Sequence, residues 1–301
     1  MPGHPCSSAV RPRTAAGVGP GADHERAPRF ASPLVRRLAA ERGLDARTLR
    51  GSGPGGVVRR CDLDGAPSTV PAADEVRIPL RGVRRAVADK LTLSRREIPE
   101  VTVWVDVDVS GLLEARAALR QAHPGTPVGF LALLARITVD ALARFPELNS
   151  RVEGGEIVQS RAVHLGVAAQ TDRGLVVPVL RDAHRASLLD LAARLADTTR
   201  LAREGALPPD RLRGGTFTLN NYGVFGVDGS TPIINHPEAA ILGVGRVIDR
   251  PWAVDGRLEV RPVATLTLAF DHRVCDGGVA GGFLRHVADR VERPALLLAS
   301  L

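Results

Sequence analysis

The chain reads as an α/β (α+β) protein in two parts, a very small helical unit followed by a mixed α/β domain of roughly 225 residues. Three observations predict this. Two stretches rich in Ala, Pro and Gly, residues 1–29 and 66–75, carry no apolar period and isolate a compact segment, 30–65. Beyond residue 76, apolar runs that alternate every second residue are interleaved with runs spaced every third or fourth residue, the mark of strands among helices. The chain then closes on an alternating run, Val263 to Ala269, a short polar turn, and apolar residues Val279, Phe283, Val287 and Val291 at helical spacing.

Composition narrows the function classes. The chain has 301 residues with 44% hydrophobic content, enough for a substantial core, but only 3% aromatics, so Val, Leu and Ala must fill it. Forty basic residues stand against 33 acidic ones, yet Lys90 is the only lysine. This arginine bias comes with interspersed acids and no recognition motif, so nucleic-acid binding is not expected. Cys6, Cys61 and Cys275 are odd in number and widely spaced, which suits neither a metal site nor a disulfide framework and fits a reducing cytoplasm. No apolar run reaches 18 residues, so no membrane span is expected.

In the small unit, Ser32-Pro33 predicts an N-cap with proline at the first helical position; Leu34, Val35 and Leu38 are expected on one helix face, and Gly43 ends the helix. Gly51-Ser52-Gly53-Pro54-Gly55-Gly56 lacks the Lys-Ser/Thr of a phosphate loop and reads as a tight turn before a second short helix near Cys61 to Leu63. In the larger domain helices are expected at 81–93, 111–121 and 128–145, the last strongly apolar and central. Ser187 caps another helix that runs to about Glu204. Strands are expected at 101–109, 163–169, 175–180, 215–221 and 239–247, before the closing strand and helix. His272 falls at that last strand-to-helix junction, and Asp276 stands where an N-cap belongs. A histidine so placed is either a structural residue or a general base acting near neutral pH.

Residues 30–39, with Gly43-Leu44-Asp45 and the glycine-rich turn, resemble the peripheral subunit-binding domain of 2-oxoacid dehydrogenase acyltransferases. Five ordered segments of the rest resemble the catalytic domain of the same family. They are Ile78 to Arg85, Gly174 to Val179, Gly214 to Gly223, Pro232 to Glu238, and Asp271-His272-Arg273 with Asp276-Gly277. The resemblance implies a chloramphenicol-acetyltransferase-like catalytic domain at 76–301 that moves an acyl group between dihydrolipoamide and coenzyme A. It implies a homotrimer with the site between subunits, assembling into a larger core. The small domain would dock the 2-oxoacid decarboxylase or dihydrolipoyl dehydrogenase through Arg36, Arg37, Arg59 and Arg60. Val57 stands where the family commonly has an arginine.

By the same resemblance His272 is the base that deprotonates the attacking thiol, and Asp276 orients its loop or an arginine while capping the helix. The family's oxyanion donor is a serine or threonine hydroxyl; Asn220 stands there, and its amide can donate instead. Arg116, Gln170, Asn221 and Gly245 match positions along the coenzyme A path. Cys275 between base and acid invites a nucleophile reading, but it is expected to face the core. His164 and His236 lie near motif segments, and His236 reads as structural. The lipoyl group travels on a separate β-sheet domain that these segments do not include. Lys90 follows an Asp, as a lipoylated lysine does, but falls in a helix. The expectation is a longer chain or a lipoyl domain supplied by another protein. The Asn220-Asn221-Tyr222-Gly223 and Ile233-Ile234-Asn235-His236-Pro237-Glu238 segments resemble branched-chain enzymes more than pyruvate enzymes. A non-catalytic scaffold that only docks dihydrolipoyl dehydrogenase is the alternative, and the retained His272 argues against it.

Overall fold

The computed structural model describes residues 29–44, 48–64, 66, 76–171 and 174–300. The chain divides after Pro79 into two compact units.

In the first unit, helix α1 (Pro33–Glu41) starts at Ser32, whose hydroxyl accepts the Val35 N–H, and Gly43 follows it at φ +59°. Its buried face is Val35 and Ala39 with Leu38 partly covered, packed with Leu44, Val58 and Leu63. Leu34, expected on that face, is 57% exposed, because it sits about 100° round the helix from Val35. Phe30 and Val58 form a parallel bridge that brings the segment's two ends together. The glycine-rich turn is tied by Asp62, whose carboxylate accepts the Ser52 and Arg59 N–H groups; those bonds hold its pKa below the ordinary value. A side chain at Gly51 would collide with the carbonyl of Gly56, so the turn closes only on glycine. Arg36, Arg37, Arg59 and Arg60 are all exposed.

The second unit begins with helix α2 (Gly82–Glu97), then strand β1 (Glu100–Asp108) and helices α3 (Ser110–Ala122) and α4 (Phe130–Arg144). Short strands follow: β2 (Ser150–Glu153), β3 (Glu156–Gln159), β4 (Leu165–Val167), β5 (Ala169–Thr171), β6 (Gly174–Val176) and β7 (Val179–Leu180). Helix α5 (Leu188–Glu204), strands β8 (Phe217–Asn221), β9 (Ala240–Val244), β10 (Ile248–Val254) and β11 (Arg257–Asp271), and helix α6 (Gly277–Glu292) complete the unit. The main sheet runs β1-β11-β9-β8-β4-β7, with β10 paired to the first half of β11. Strands β4, β8 and β9 are parallel and the other pairings antiparallel, so the sheet is mixed.

The core explains the element pattern. Helix α4 is buried over almost its whole length, from Ala132 to Leu142, which is why its sequence is apolar rather than amphipathic. Helix α6 presents Ala280, Phe283, Leu284, Val287, Ala288 and Val291 to that core. β11 is buried on both faces from Leu266 to Asp271, as expected of a central strand. It begins six residues earlier than the apolar run predicts, because Asp255-Gly256 turns β10 back onto it, both at positive φ. The hairpin β2–β3 turns in the same way on Gly154-Gly155.

Candidate active site

Strand β11 delivers its last residue, Asp271, to the end of the sheet, where the chain turns tightly and the Val274 N–H returns to the Asp271 carbonyl. The Asp271 carboxylate is buried and accepts from the Arg273 backbone N–H, from Nε at 2.9 Å and from Nη2 at 2.6 Å. This bidentate pair raises the pKa of Arg273 and locks the turn. His272, between them, donates its N–H to the carbonyl of Pro99 and has its ring exposed, 5.7 Å from the ring of Phe270. Its ring nitrogens have no hydrogen-bond partner among the described residues. The result is a histidine on a fixed backbone with its imidazole free to meet a ligand.

Asp276 is the N-cap of α6, accepting the N–H of Gly278 at 2.9 Å and of Val279 at 3.4 Å. Of its two expected orienting roles, toward the His272 loop or an arginine, the second is not seen as an ion pair among the described residues; Asp271 holds Arg273 instead, since its two-residue spacing puts the carboxylate inside the turn. Cys275 packs against the core, and burial, the largest cause, pushes its thiol up to about 11, which disfavours the thiolate near neutral pH. His236 pairs with Glu97 at 3.2 Å. His164 accepts the Asp182 N–H, and burial lowers its pKa; both histidines are thus tied to partners within the chain.

Asn220 lies elsewhere. It is in register with Gly243 on β9, and Gly243 with Thr267 on β11, so His272 is five residues further along the sheet. At about 3.3 Å per residue and about 4.8 Å per strand, the two positions are on the order of 20 Å apart, too far to share one site within a chain. Asn221 follows, its Oδ1 accepting the Gly223 N–H, which leaves its amide N–H groups to donate. Gly245 is at the same end, its N–H bonded to Thr265; a Cβ there would lie 1.9 Å from the Asp228 carbonyl, so packing alone demands glycine. Gln170 stands just beyond β4, whose end meets β8 through the Ala168 N–H and the Leu219 carbonyl, and it is exposed. Arg116 is half-buried on α3, which also starts at this end, where the Val109 N–H bonds Pro262. Its guanidinium makes no ion pair or hydrogen bond to the described residues. The structure therefore gathers Asn220, Asn221, Gly245 and Gln170 at one end of the sheet and His272 with Asp276 at the other.

One polar cluster was not singled out from the sequence. The carboxyl of Glu238 is 3% exposed and accepts from Thr218 Oγ1 at 2.5 Å and Asn235 Nδ2 at 2.8 Å; Asn235 Oδ1 in turn accepts from Lys90 at 2.5 Å. The signal available was an acid followed at once by the apolar strand Ala239-Ala240-Ile241-Leu242. Burial raises its pKa to about 7, against the opposing hydrogen bonds and the Lys90 charge. The folded chain thus holds a proton that the unfolded chain releases, and stability falls as pH rises from about 4.5 to about 7. The loss is at most on the order of 3 kcal/mol. Glu238→Gln should therefore gain on wild type between about pH 5 and pH 8 in denaturant unfolding; parallel pH curves would contradict this.

Among the described residues no helix is long and apolar enough to cross a membrane. Residues 72–299 match the family model of the 2-oxoacid dehydrogenases acyltransferase catalytic domain, and residues 29–64 that of the E3 binding domain. The chain is 39% identical over 286 residues to the lipoamide acyltransferase component of the branched-chain alpha-keto acid dehydrogenase complex of Pseudomonas aeruginosa, covering 89% of this chain and 67% of that one. It is 35% identical over 288 residues to the dihydrolipoyllysine-residue succinyltransferase component of the 2-oxoglutarate dehydrogenase complex of Escherichia coli K12, covering 89% and 71%. The fold matches Azotobacter vinelandii dihydrolipoamide acetyltransferase, solved to examine the roles of a serine, a histidine and an asparagine in its catalytic mechanism. That match has a TM-score of 0.71 and 31% identity, covering 77% of this chain and 99% of that one.

Proposed function

The chain belongs to the 2-oxoacid dehydrogenase acyltransferases and carries an E3-binding domain ahead of the catalytic one, and we propose that His272 and Asn220, contributed by neighbouring chains, form the site where it exchanges an acyl group between dihydrolipoamide and coenzyme A. The observation that carries this reading is the exposed imidazole of His272 on a turn locked by Asp271 and Arg273. The spacing supports it. In the Azotobacter enzyme the histidine follows the serine by 52 residues and precedes the asparagine by four. His272 follows Asn220 by 52 and precedes Asp276 by four.

The chemistry is a thioester exchange. A thiol with pKa near 8.5 is only partly ionised at neutral pH, so a base beside it raises the attacking species. His272 takes the proton, and the sulfur attacks the thioester carbonyl. The carbonyl oxygen becomes an oxyanion that accepts a hydrogen bond from the Asn220 amide. Collapse breaks the old carbon–sulfur bond, and the departing sulfur receives the proton from His272. Asp276 holds the start of α6, and the Asp271–Arg273 pair fixes the base. Arg116 suits a coenzyme A phosphate, its guanidinium being unpaired among the described residues, with Gln170, Asn221 and Gly245 as further positions along the coenzyme A path.

Because one chain separates the two roles by on the order of 20 Å, the working unit is at least a ring of chains, which we take as a homotrimer within a larger core. The E3-binding domain (30–65 in our division, the catalytic domain 76–301) docks dihydrolipoyl dehydrogenase, with the exposed Arg36, Arg37, Arg59 and Arg60 as its basic contacts. The decarboxylase is its second candidate partner, and lipoate arrives on a separate domain. The unpaired Cys61 and Cys275 suit the cytoplasm.

Identity is higher to the branched-chain relative than to the succinyltransferase, which favours a branched acyl group. In transfer from acetyl-, succinyl-, isobutyryl- and isovaleryl-CoA to dihydrolipoamide, kcat/KM should be highest for the two branched substrates, by about tenfold or more. A preference for acetyl- or succinyl-CoA would reject that assignment.

A further inference from the structure

Glu238 sits where the two halves of the chain's machinery meet. Its carboxyl group bonds Thr218, two residues before Asn220 on β8 and therefore on the same face of that strand. The next residue, Ala239, accepts the N–H of Asp271 at 2.8 Å, immediately before His272, and donates its own N–H to Ser150. The same carboxyl group bonds Asn235, which Lys90 reaches from α2; Ser94 of that helix bonds the Ile234 carbonyl, and Glu97 meets His236. Helix α2 ends at Ile98-Pro99, and Pro99 accepts the His272 N–H. A Cβ on Gly215 would lie 2.5 Å from Glu238 Oε1, so the backbone beside the carboxyl group is cleared for it. Burying a carboxyl group costs stability unless its hydrogen bonds are made, and Thr218 and Asn235 make them here.

We propose that Glu238 is a positioning residue that sets both half-sites of the chain at once, holding β8 in place for Asn220 and, through its turn and α2, the loop that carries His272. The proposal rests on the active-site reading above. Glutamine can keep the arrangement: its Oε1 accepts from Asn235, and its amide donates to Thr218 Oγ1. Alanine removes both bonds, so the buried Thr218 hydroxyl loses its acceptor and Asn235 keeps only Lys90 and the long contact to Thr218.

The test uses the full chain in steady-state transfer from isobutyryl-CoA to dihydrolipoamide, with wild type, Glu238→Ala, Glu238→Gln, Thr218→Val, and the Glu238→Ala/Thr218→Val double variant. Glu238→Ala should lower kcat about tenfold with KM for both substrates within about twofold, since sub-ångström displacement of a reacting group acts on the transition state. Glu238→Gln should return kcat to within about threefold of wild type, and the double variant should be no slower than Glu238→Ala alone. Unchanged kcat in Glu238→Ala, whatever its melting temperature, overturns the proposal, as does a glutamine variant as slow as alanine. Should Glu238→Ala fail to fold, Thr218→Val decides: a kcat loss of about threefold or more at constant KM supports the role, and wild-type kcat overturns it. His272→Ala assayed in parallel separates the two readings, since full activity there removes the active site itself rather than the role of Glu238.

Discussion

His272→Ala lowers kcat for transfer from an acyl-CoA to dihydrolipoamide about 10²–10⁴-fold while the protein stays folded and both KM values change little. The fold should survive because the imidazole makes no hydrogen bond to the described residues and is exposed, so its loss opens no cavity. The turn keeps its Asp271–Arg273 pair and its N–H bond to Pro99. What is lost is the proton acceptor at the thiol. Without it the attacking species is only the fraction of thiol already ionised, so the variant's rate should also rise steeply with pH. A variant as fast as wild type removes His272 from the chemistry.

Asn220→Ala is the second large effect, about 10²-fold in kcat. An amide aimed at the developing oxyanion is worth most in the transition state, so KM should again move little. Asn220→Ser, which restores the hydroxyl common in the family at this position, should recover much of the loss. If the alanine variant is unimpaired, the Asn220 amide has no part in stabilising the oxyanion, and its half-buried place at the end of β8 is structural.

The elements that declared themselves in the sequence did so through local physics. Ser187 with Asp190 forms a capping box at the start of α5, and Asp276 caps α6 as its position before Gly277 implied. The run from Val128 to Phe145 was apolar enough to require burial, and α4 is the buried helix. The hairpins β2–β3 and β10–β11 were missed although Gly154-Gly155 and Asp255-Gly256 are strong turn signals, because their strands are polar and short of apolar alternation. His272 stood out at a strand–turn–helix junction, yet which neighbouring acid served it did not. Asp271 and Asp276 flank the turn alike in sequence, and only the fold buries the first and leaves the second at the helix cap. Glu238 was not legible as a hub, since its partners Thr218, Asn235 and Lys90 come from β8, a loop and α2. The distance between His272 and Asn220 is likewise a matter of strand register, which no local pattern encodes.

Mixing two inactive variants measures whether His272 and Asn220 meet between chains. His272→Ala chains keep Asn220, and Asn220→Ala chains keep His272. In a closed ring of three, every mixed ring has one interface where an intact His272 faces an intact Asn220. Random co-assembly of equal amounts should therefore restore about a quarter of wild-type activity. Activity no higher than the average of the two separate variants would show that the two residues do not meet between chains.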